Sequence, residues 1–591
     1  MLPAPLLLLL LLALLPAAAA EVAAPKPHIL FFLIDDFGWA DAGWHRPPGY
    51  KEVLTPNMDS LVGEGIELTR NYVFKFCSPT RSAIQSGRNP VHVNAQNVGM
   101  ESWDPANPLQ GVSGIPVNMT GFATRMAEAG YKHRTFAGKA DFGMAYAKQS
   151  PMGRGYTDAL FYFQHMNDYF SLNVGQCFDA ASNSSVFQRD LFGTNPDGSS
   201  GPQYHLLNPK KCWVQNMTAP EAPVAPFPAP YGDCVYEEDL FTNFTIAQIK
   251  QHDTAKDGPM LAFHAAHSIH TPLEVVPGAF AKFSFITDSA FRRAYHAMVY
   301  NVDLAVGQIV GTLKQQGMYE NTLIVLSADN GGPIYMSGRG GGNNYPLRGG
   351  KASNFEGGIR VNGFVSGGFV PPSQRGKKLD GLVTGWDWYS TFVKGIGGLD
   401  PTDREAAAAG LPPLDSMDQW PYLSGATATP PRTHIPIGST GDPLDTWAGK
   451  NDIEVHGLIE HDQPSGKIWK LLVGGVTNNV WTGPEYPNAT THTQPDSNYV
   501  IHSCGFAPGC LFELTSDETE HIDVAAANPE VVKRLRAMIA AANATVFAPL
   551  RPSSPHACEV SLKKYHDPSH EFGWWGPFAD GLAPDGAADA A

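Results

Sequence analysis

The sequence predicts an α/β protein with a largely parallel sheet, followed by a smaller C-terminal α+β domain. Three observations carry this. His28–Ile34 is an apolar run ending in Asp35-Asp36-Phe37-Gly38, the pattern of a buried strand that stops at a turn. Val302, Val306, Ile309, Val310 and Leu313 recur at helical spacing, and Gly317 stops that helix. Leu323–Leu326 then reads as a second buried strand, ending in Ser327-Ala328-Asp329-Asn330-Gly331-Gly332. Helix, short loop and apolar strand in succession are the α/β pattern. Both carboxylate clusters therefore fall just past the C-terminal ends of strands, where ligands sit in open α/β sheets.

The elements follow in order. Leu6–Leu15 is a short apolar core, interrupted by Pro16 and followed by Ala17–Ala20, so residues 1–20 read as a signal peptide. An uncleaved signal-anchor is the rival reading. No later stretch reaches about 18 uninterrupted apolar residues, so no membrane span is expected after signal removal. Asn118, Asn183, Asn216, Asn243, Asn488 and Asn543 head Asn-x-Ser/Thr acceptors, which suits the secretory route, extracellular or lysosomal. Residues 25–430 are expected to form the large domain, with a Cys-, Asn- and Pro-rich insertion at about 165–235. Ala, Pro and Gly clusters over 402–431 mark its boundary. A smaller domain spans 431–560, with Lys467–Val473 as a strand and Val531, Val532, Leu535, Met538 and Ile539 as a helical stripe. Residues 561–591 lack periodicity and are expected to be a poorly ordered tail.

A formal net charge of −16 argues against nucleic acid as a partner. It also means that an anionic substrate must be held by a few local cations. Seven cysteines is an odd number for an oxidising route. Cys177, Cys212, Cys234, Cys504, Cys510 and Cys558 can make three bridges, with Cys504 and Cys510 close enough for a small loop. Cys77 then needs its own explanation.

Cys77 opens Cys77-Ser78-Pro79-Thr80-Arg81. Ser78 suits an N-cap, Pro79 the first helical position, and Gly87 the end of the helix. Cys77 would stand at a helix N-terminus, where free N–H groups favour anions, with Arg81 one turn in as a fixed cation. This Cys-x-Pro-x-Arg, continued by Ser82-Ala83-Ile84-Gln85-Ser86-Gly87-Arg88, closely resembles the signature of the sulfatase family. The resemblance implies an alkaline-phosphatase-like fold: a large mixed sheet flanked by helices. It also implies that Cys77 is oxidised to formylglycine by the formylglycine-generating enzyme. The aldehyde hydrate has two hydroxyls. One attacks the sulfate sulfur, and loss of the proton from the other expels sulfate and restores the aldehyde.

Asp35, Asp36, Asp329 and Asn330 offer oxygen ligands only, which suits Ca²⁺ or Mg²⁺ rather than zinc. In sulfatases the matching positions hold one calcium ion beside the formylglycine, so the implied metal site is Asp35, Asp36, Cys77, Asp329 and Asn330. Gly138-Lys139-Ala140-Asp141-Phe142-Gly143, Ser268-Ile269-His270-Thr271-Pro272 and Leu347-Arg348-Gly349-Gly350-Lys351 resemble three further active-site elements of the family. By that resemblance Lys139 contacts the formylglycine hydroxyl or the sulfate. His270 holds the bridging oxygen and protonates the leaving alcohol, and Lys351 binds sulfate as a point charge.

One departure stands out. The family's second-position histidine in the Lys-x-His element is Asp141 here, and that histidine is the group thought to deprotonate the hydrate. Asp141 either acts as the base, despite a reference pKa near 4, or marks low activity. Gly341-Gly342-Asn343-Asn344-Tyr345-Pro346-Leu347-Arg348-Gly349, Phe355-Glu356-Gly357-Gly358-Ile359-Arg360 and Cys510-Leu511-Phe512-Glu513-Leu514 look most like the arylsulfatase B (N-acetylgalactosamine-4-sulfatase) group. The expected substrate is a sulfated sugar or polysaccharide, or an aryl sulfate in the test tube. Two rival readings are compatible with these residues. One is a catalytically weak binder of sulfated glycans, suggested by Asp141. The other is a phosphatase or phosphodiesterase, for which Ser or Thr with His-rich zinc sites would be expected instead of Cys77.

Overall fold

His28–Ile34 forms the central strand of the protein, and its uninterrupted apolar run has a simple cause. Alternate residues face two different cores: Ile29, Phe31 and Leu33 enter one hydrophobic cluster, and Leu30, Phe32 and Ile34 the other. Period-two alternation between two buried faces leaves no position for a polar side chain. Phe31, Phe263 and Phe136, from three adjacent strands, stack at 4.7 and 5.3 Å between ring centroids. Each such ring contributes roughly 1.5–3 kcal/mol by burial.

The computed structural model describes residues 25–179, 184–208, 212, 234–334, 340–439, 454–490, 502–552, 555–565 and 572–580. The expected signal peptide, residues 1–20, and the acceptors Asn183 and Asn216 lie outside the described residues. No helix among the described residues is long and apolar enough to cross a membrane.

The large sheet has ten strands. In spatial order they are Lys377–Leu379, Ile66–Leu68, Gly363–Ser366, Thr322–Ala328, His28–Ile34, Met260–Ala266, His133–Lys139, Asp158–Tyr162, Phe192–Thr194 and Ser200–Pro202. The five from Thr322–Ala328 to Asp158–Tyr162 run parallel, and antiparallel neighbours flank them on both sides. All five parallel strands therefore end on the same edge. The expected helical stripe lies in Ala290–Gln315, which buries Val302, Val306, Ile309, Val310 and Leu313 against the sheet face carrying Leu30 and Phe32.

A second sheet begins at His434. Its order is His434–Gly438, Val455–Asp462, Lys467–Val476 and His502–Glu513, all antiparallel, with the helix Pro529–Asn543 packed on it. The join to the large domain is apolar and ionic. Tyr72, Phe355 and Ile359 share a core cluster with Ile435, Leu472 and Phe512. Beneath it, fully buried Lys470 pairs with Glu356 at 2.9 Å and Glu520 at 2.8 Å.

Three disulfides join Cys177 to Cys558, Cys212 to Cys234 and Cys504 to Cys510, and Cys77 is a free, buried thiol. The first bridge bears on a departure from expectation. The tail was expected to be poorly ordered, yet Phe572–Trp574 is a strand parallel to Ser184–Arg189, and Trp574 and Phe578 are buried. Its aromatics have no helical or strand period, so the sequence gives no signal. They are held by burial against the insertion and by the Cys177–Cys558 bridge.

Candidate active site

The carboxyl edge of the parallel strands collects the chemistry. Asp35 and Asp36 follow the central strand, Asp329 and Asn330 follow Thr322–Ala328, and His267 and His270 follow Met260–Ala266. Lys139 ends its own strand and Asp141 follows it. Backbone geometry aims several of these groups. Asp36 (φ 59°) and Asp141 (φ 52°) occupy the left-handed region, which Asp tolerates better than most residues. Gly138 has φ 100°, and a Cβ there would lie 1.8 Å from the carbonyl oxygen of Ala265. Only glycine lets the Lys139 strand end approach its neighbour so closely.

Cys77 is the first residue of the helix Cys77–Ser86, and extended Phe76 is the residue before it. The cap differs from expectation. Ser78 lies inside the helix, where its Oγ accepts from Asn94 Nδ2 at 2.9 Å instead of capping backbone N–H groups. Gly87 closes the helix in the left-handed conformation, as expected.

The ten residues singled out by sequence converge on this edge. Ligand atoms of Asp35, Asp36, Cys77 and His270 all lie within 4.8 Å of one another. Lys139 Nζ is 2.5 Å from Asp35 Oδ2, and Lys351 Nζ is 2.7 Å from Asp36 Oδ1. Arg81 reaches Asp329 Oδ2 at 2.7 Å and Asp35 Oδ2 at 3.6 Å. Asn330 Nδ2 donates to Asp36 Oδ1 at 2.7 Å. Every one of these side chains is buried.

The oxygens fit a hard divalent cation. Asp35 Oδ1 and Asn330 Oδ1 are buried without a hydrogen-bond partner, and Asp36 lies 2.7 Å from Asn330 Nδ2 and 3.8 Å from His270 Nε2. Unpaired buried carboxylate and amide oxygens are the donors that Ca²⁺ takes. Charge points the same way. Asp35, Asp36, Asp141 and Asp329 oppose Arg81, Lys139 and Lys351, leaving one net negative charge. A divalent cation would turn that into one net positive charge and make the pocket attractive to an anion.

Protonation follows burial and neighbours. Burial pushes the Cys77 thiol far up, and Asp35 adds to this against the opposing pull of Lys139 and Lys351, so the unmodified residue is a thiol rather than a thiolate. Burial, then Lys351, Lys139 and His267, hold His270 well below the ordinary imidazole range. Its Nδ1 faces the Thr271 carbonyl oxygen at 2.7 Å, which leaves Nε2 toward Asp36 Oδ2 at 3.8 Å. Burial would lower the Lys139 and Lys351 ammoniums, but their carboxylate neighbours more than offset it and raise both. Asp329 is raised to about 6 by burial and by Asp35.

Asp141 has a partner that sequence reasoning missed. Its Oδ1 accepts from His165 Nδ1 at 2.8 Å, and its Oδ2 lies 3.7 Å from Lys139 Nζ. Burial would raise this carboxyl, but His165, Lys139 and Arg81 outweigh it and hold the group below the ordinary carboxylate range. His165 follows the next strand, Asp158–Tyr162, so sheet pairing rather than sequence spacing brings the two together. His267, which was not assigned a role, is tied to Glu237 Oε2 at 2.8 Å.

Comparison with known proteins gives the family of the chain and structures of similar fold. The family model described as Sulfatase matches residues 27–397. Arylsulfatase J of Mus musculus is 26% identical over 559 residues, covering 94% of this chain and 80% of that protein. N-acetylgalactosamine-6-sulfatase of Canis lupus familiaris is 25% identical, covering 85% and 84%. Among solved structures, Ps i-CgsB in complex with k-i-k-neocarrahexaose superposes with a TM-score of 0.62 at 21% identity, covering 90% of this chain and 96% of that one. The PsFucS1 sulfatase from Pseudoalteromonas sp. gives 0.60 at 20% identity, covering 90% and 92%.

Proposed function

The chain belongs to the sulfatase family and is a sulfatase, and from that premise we propose that it cleaves sulfate esters of a sulfated sugar through a formylglycine made from Cys77, with one Ca²⁺ ion. The observation that carries this is the meeting of Cys77 with Asp35, Asp36 and His270 inside 4.8 Å, ringed by three buried cations. A buried thiol held in its protonated form is a poor nucleophile, so conversion to an aldehyde hydrate gives the position its reactivity.

Asp35, Asp36, Asp329 and Asn330 would hold the ion beside residue 77. When bound, it supplies Lewis-acid polarisation of sulfate oxygens. Lys139 and Lys351 bind the sulfate group as point charges, and Arg81 fixes Asp329 and Asp35 in place. His270 Nε2 donates to the bridging oxygen once sulfate has entered, since a bound anion favours the imidazolium that burial, Lys351 and Lys139 disfavour in its absence. The three disulfides support maturation in an oxidising secretory compartment, where the formylglycine-generating enzyme would meet the chain.

The sugar assignment rests on the arylsulfatase B-like segments around Asn343–Gly349 and Phe355–Arg360 and on relatives named as N-acetylgalactosamine-6-sulfatases. These relatives do not single out the 4-sulfatase group. The test is mass spectrometry of the Cys77 peptide after co-expression with the formylglycine-generating enzyme, with sulfate release measured on the same batch. Conversion exchanges H₂S for one oxygen in mass, and release is expected to vanish in Cys77→Ala. An unconverted thiol in an active protein would remove the proposed nucleophile. Conversion without turnover on any sulfate ester would favour a binder of sulfated glycans.

A further inference from the structure

The Asp141–His165 contact takes no part in binding sulfate or in protonating the leaving group. Asp141 is fully buried, with Oδ1 taken by His165 Nδ1 at 2.8 Å and Oδ2 left without a partner 3.7 Å from Lys139. Lys139 in turn lies 2.5 Å from Asp35, whose ligand oxygen is within 4.8 Å of Cys77 Sγ. The pair is therefore linked to the reacting position through two groups, the Lys139 ammonium and the Asp35 carboxylate.

The hydrogen bond fixes the tautomer. A carboxylate oxygen can only accept, so Nδ1 of His165 carries the proton and Nε2 is the basic nitrogen. That Nε2 is covered from solvent and has no hydrogen-bond partner, although the ring as a whole is 25% exposed. A buried basic nitrogen without a donor is uncommon in a settled protein interior and marks a place where a proton can arrive. A carboxylate behind the ring orients it and stabilises the imidazolium that forms. Asp141 alone makes a poor proton acceptor, because the surrounding cations favour its ionised form.

We propose that the base of the reaction is the Asp141–His165 pair, with His165 Nε2 holding the proton and Asp141 acting as the positioning residue. The inference rests on the sulfatase reading with residue 77 converted. In the step concerned, the free hydroxyl of the sulfated hydrate loses its proton to Nε2. The O–H electron pair becomes the second bond of the aldehyde C=O. The C–O bond to sulfate breaks, and sulfate leaves with that electron pair. Imidazolium and sulfate dianion are formed together, and solvent later removes the proton.

The test separates the two halves of turnover. Wild type, His165→Gln and Asp141→Asn, each with conversion of residue 77 verified, are mixed with excess 4-nitrophenyl sulfate. Both variants are expected to keep a first burst of nitrophenol close to one equivalent of enzyme. Their steady-state kcat falls about 100-fold, the range of a lost general base. The sulfated enzyme accumulates and is seen by intact mass. Imidazole in the buffer restores turnover to His165→Gly. A purely structural role for His165 would abolish the burst together with the steady rate, and that result overturns the proposal. So does kcat within about threefold of wild type in His165→Gln. A converted wild type that releases neither nitrophenol nor sulfate overturns the sulfatase reading itself, an outcome distinct from failure of the pair.

Discussion

Replacing Lys351 by Met is expected to move catalysis and metal binding in opposite directions. Lys351 Nζ sits 2.7 Å from Asp36 Oδ1, and both groups are buried. At that distance and an effective dielectric constant near 20 the Coulomb attraction is about 6 kcal/mol, much of it offset by desolvation of two ions. In the proposed mechanism the same ammonium binds sulfate. Losing that charge-assisted hydrogen bond costs about 1.5–3 kcal/mol, or roughly 10- to 150-fold in kcat/KM. The Asp36 oxygen, relieved of its ammonium, becomes a stronger ligand, and Ca²⁺ affinity is expected to rise about tenfold. Turnover of 4-nitrophenyl sulfate at saturating calcium gives the first quantity. Calorimetric titration of chelator-treated protein gives the second. Weaker calcium binding together with lost activity would mean that Lys351 merely supports the fold. An unchanged kcat/KM would remove it from the substrate site.

Three other outcomes are expected. His270→Gln should reduce kcat by about 100-fold or more on alkyl and sugar sulfates but far less on 4-nitrophenyl sulfate, whose leaving group needs no proton; equal losses on both would remove His270 as the acid. Lys470→Met leaves Glu356 and Glu520 buried without their cation and should lower stability by about 3–5 kcal/mol, read as a lower urea midpoint with activity per folded molecule retained; an unchanged midpoint would refute the role of this cluster in joining the two sheets. Glu238 accepts from the Ser268 backbone N–H at 2.7 Å, and burial raises its carboxyl from 4.5 to about 7. The folded state thus keeps a proton that the unfolded chain releases, and the associated stability, full below pH 4.5, is lost as pH rises to about 7. Glu238→Gln cannot titrate, so the stability of the variant relative to wild type should increase across this window by roughly 1 kcal/mol per pH unit. A pH-independent difference in denaturation midpoints would contradict it.

What could be read from sequence follows from how each feature is encoded. The strand His28–Ile34 and the helix Ala290–Gln315 were legible because burial on two faces or on one stripe leaves an unbroken local pattern. The end of that strand and the end of Thr322–Ala328 give the places of Asp35, Asp36, Asp329 and Asn330. Lys139, His270 and Lys351 carry no local signal of their own; only family motifs in the right order pointed to them as candidates. The sequence made Asp141 conspicuous as a departure, but its partner lies on the next strand, and no spacing rule links positions 141 and 165. Ser78 was read as a cap because Ser followed by Pro commonly starts a helix, whereas Asn94, brought in from a later loop, draws its hydroxyl away. The terminal aromatics Phe572, Trp574 and Phe578 failed as a pattern because they pack individually against distant residues.

The Cys177–Cys558 bridge joins positions 381 apart in sequence, and the loop between them includes the strand ends that bear His270, Asp329 and Asn330 and the segment bearing Lys351. Cys77, Lys139 and Asp141 lie before it. A protease that cuts one peptide bond anywhere between the two cysteines cannot separate these groups covalently. The product would be a two-chain protein, migrating as one species without reductant and as two with it. The active-site halves would thus remain tethered to each other after the cut, with sulfur replacing the severed backbone as the link.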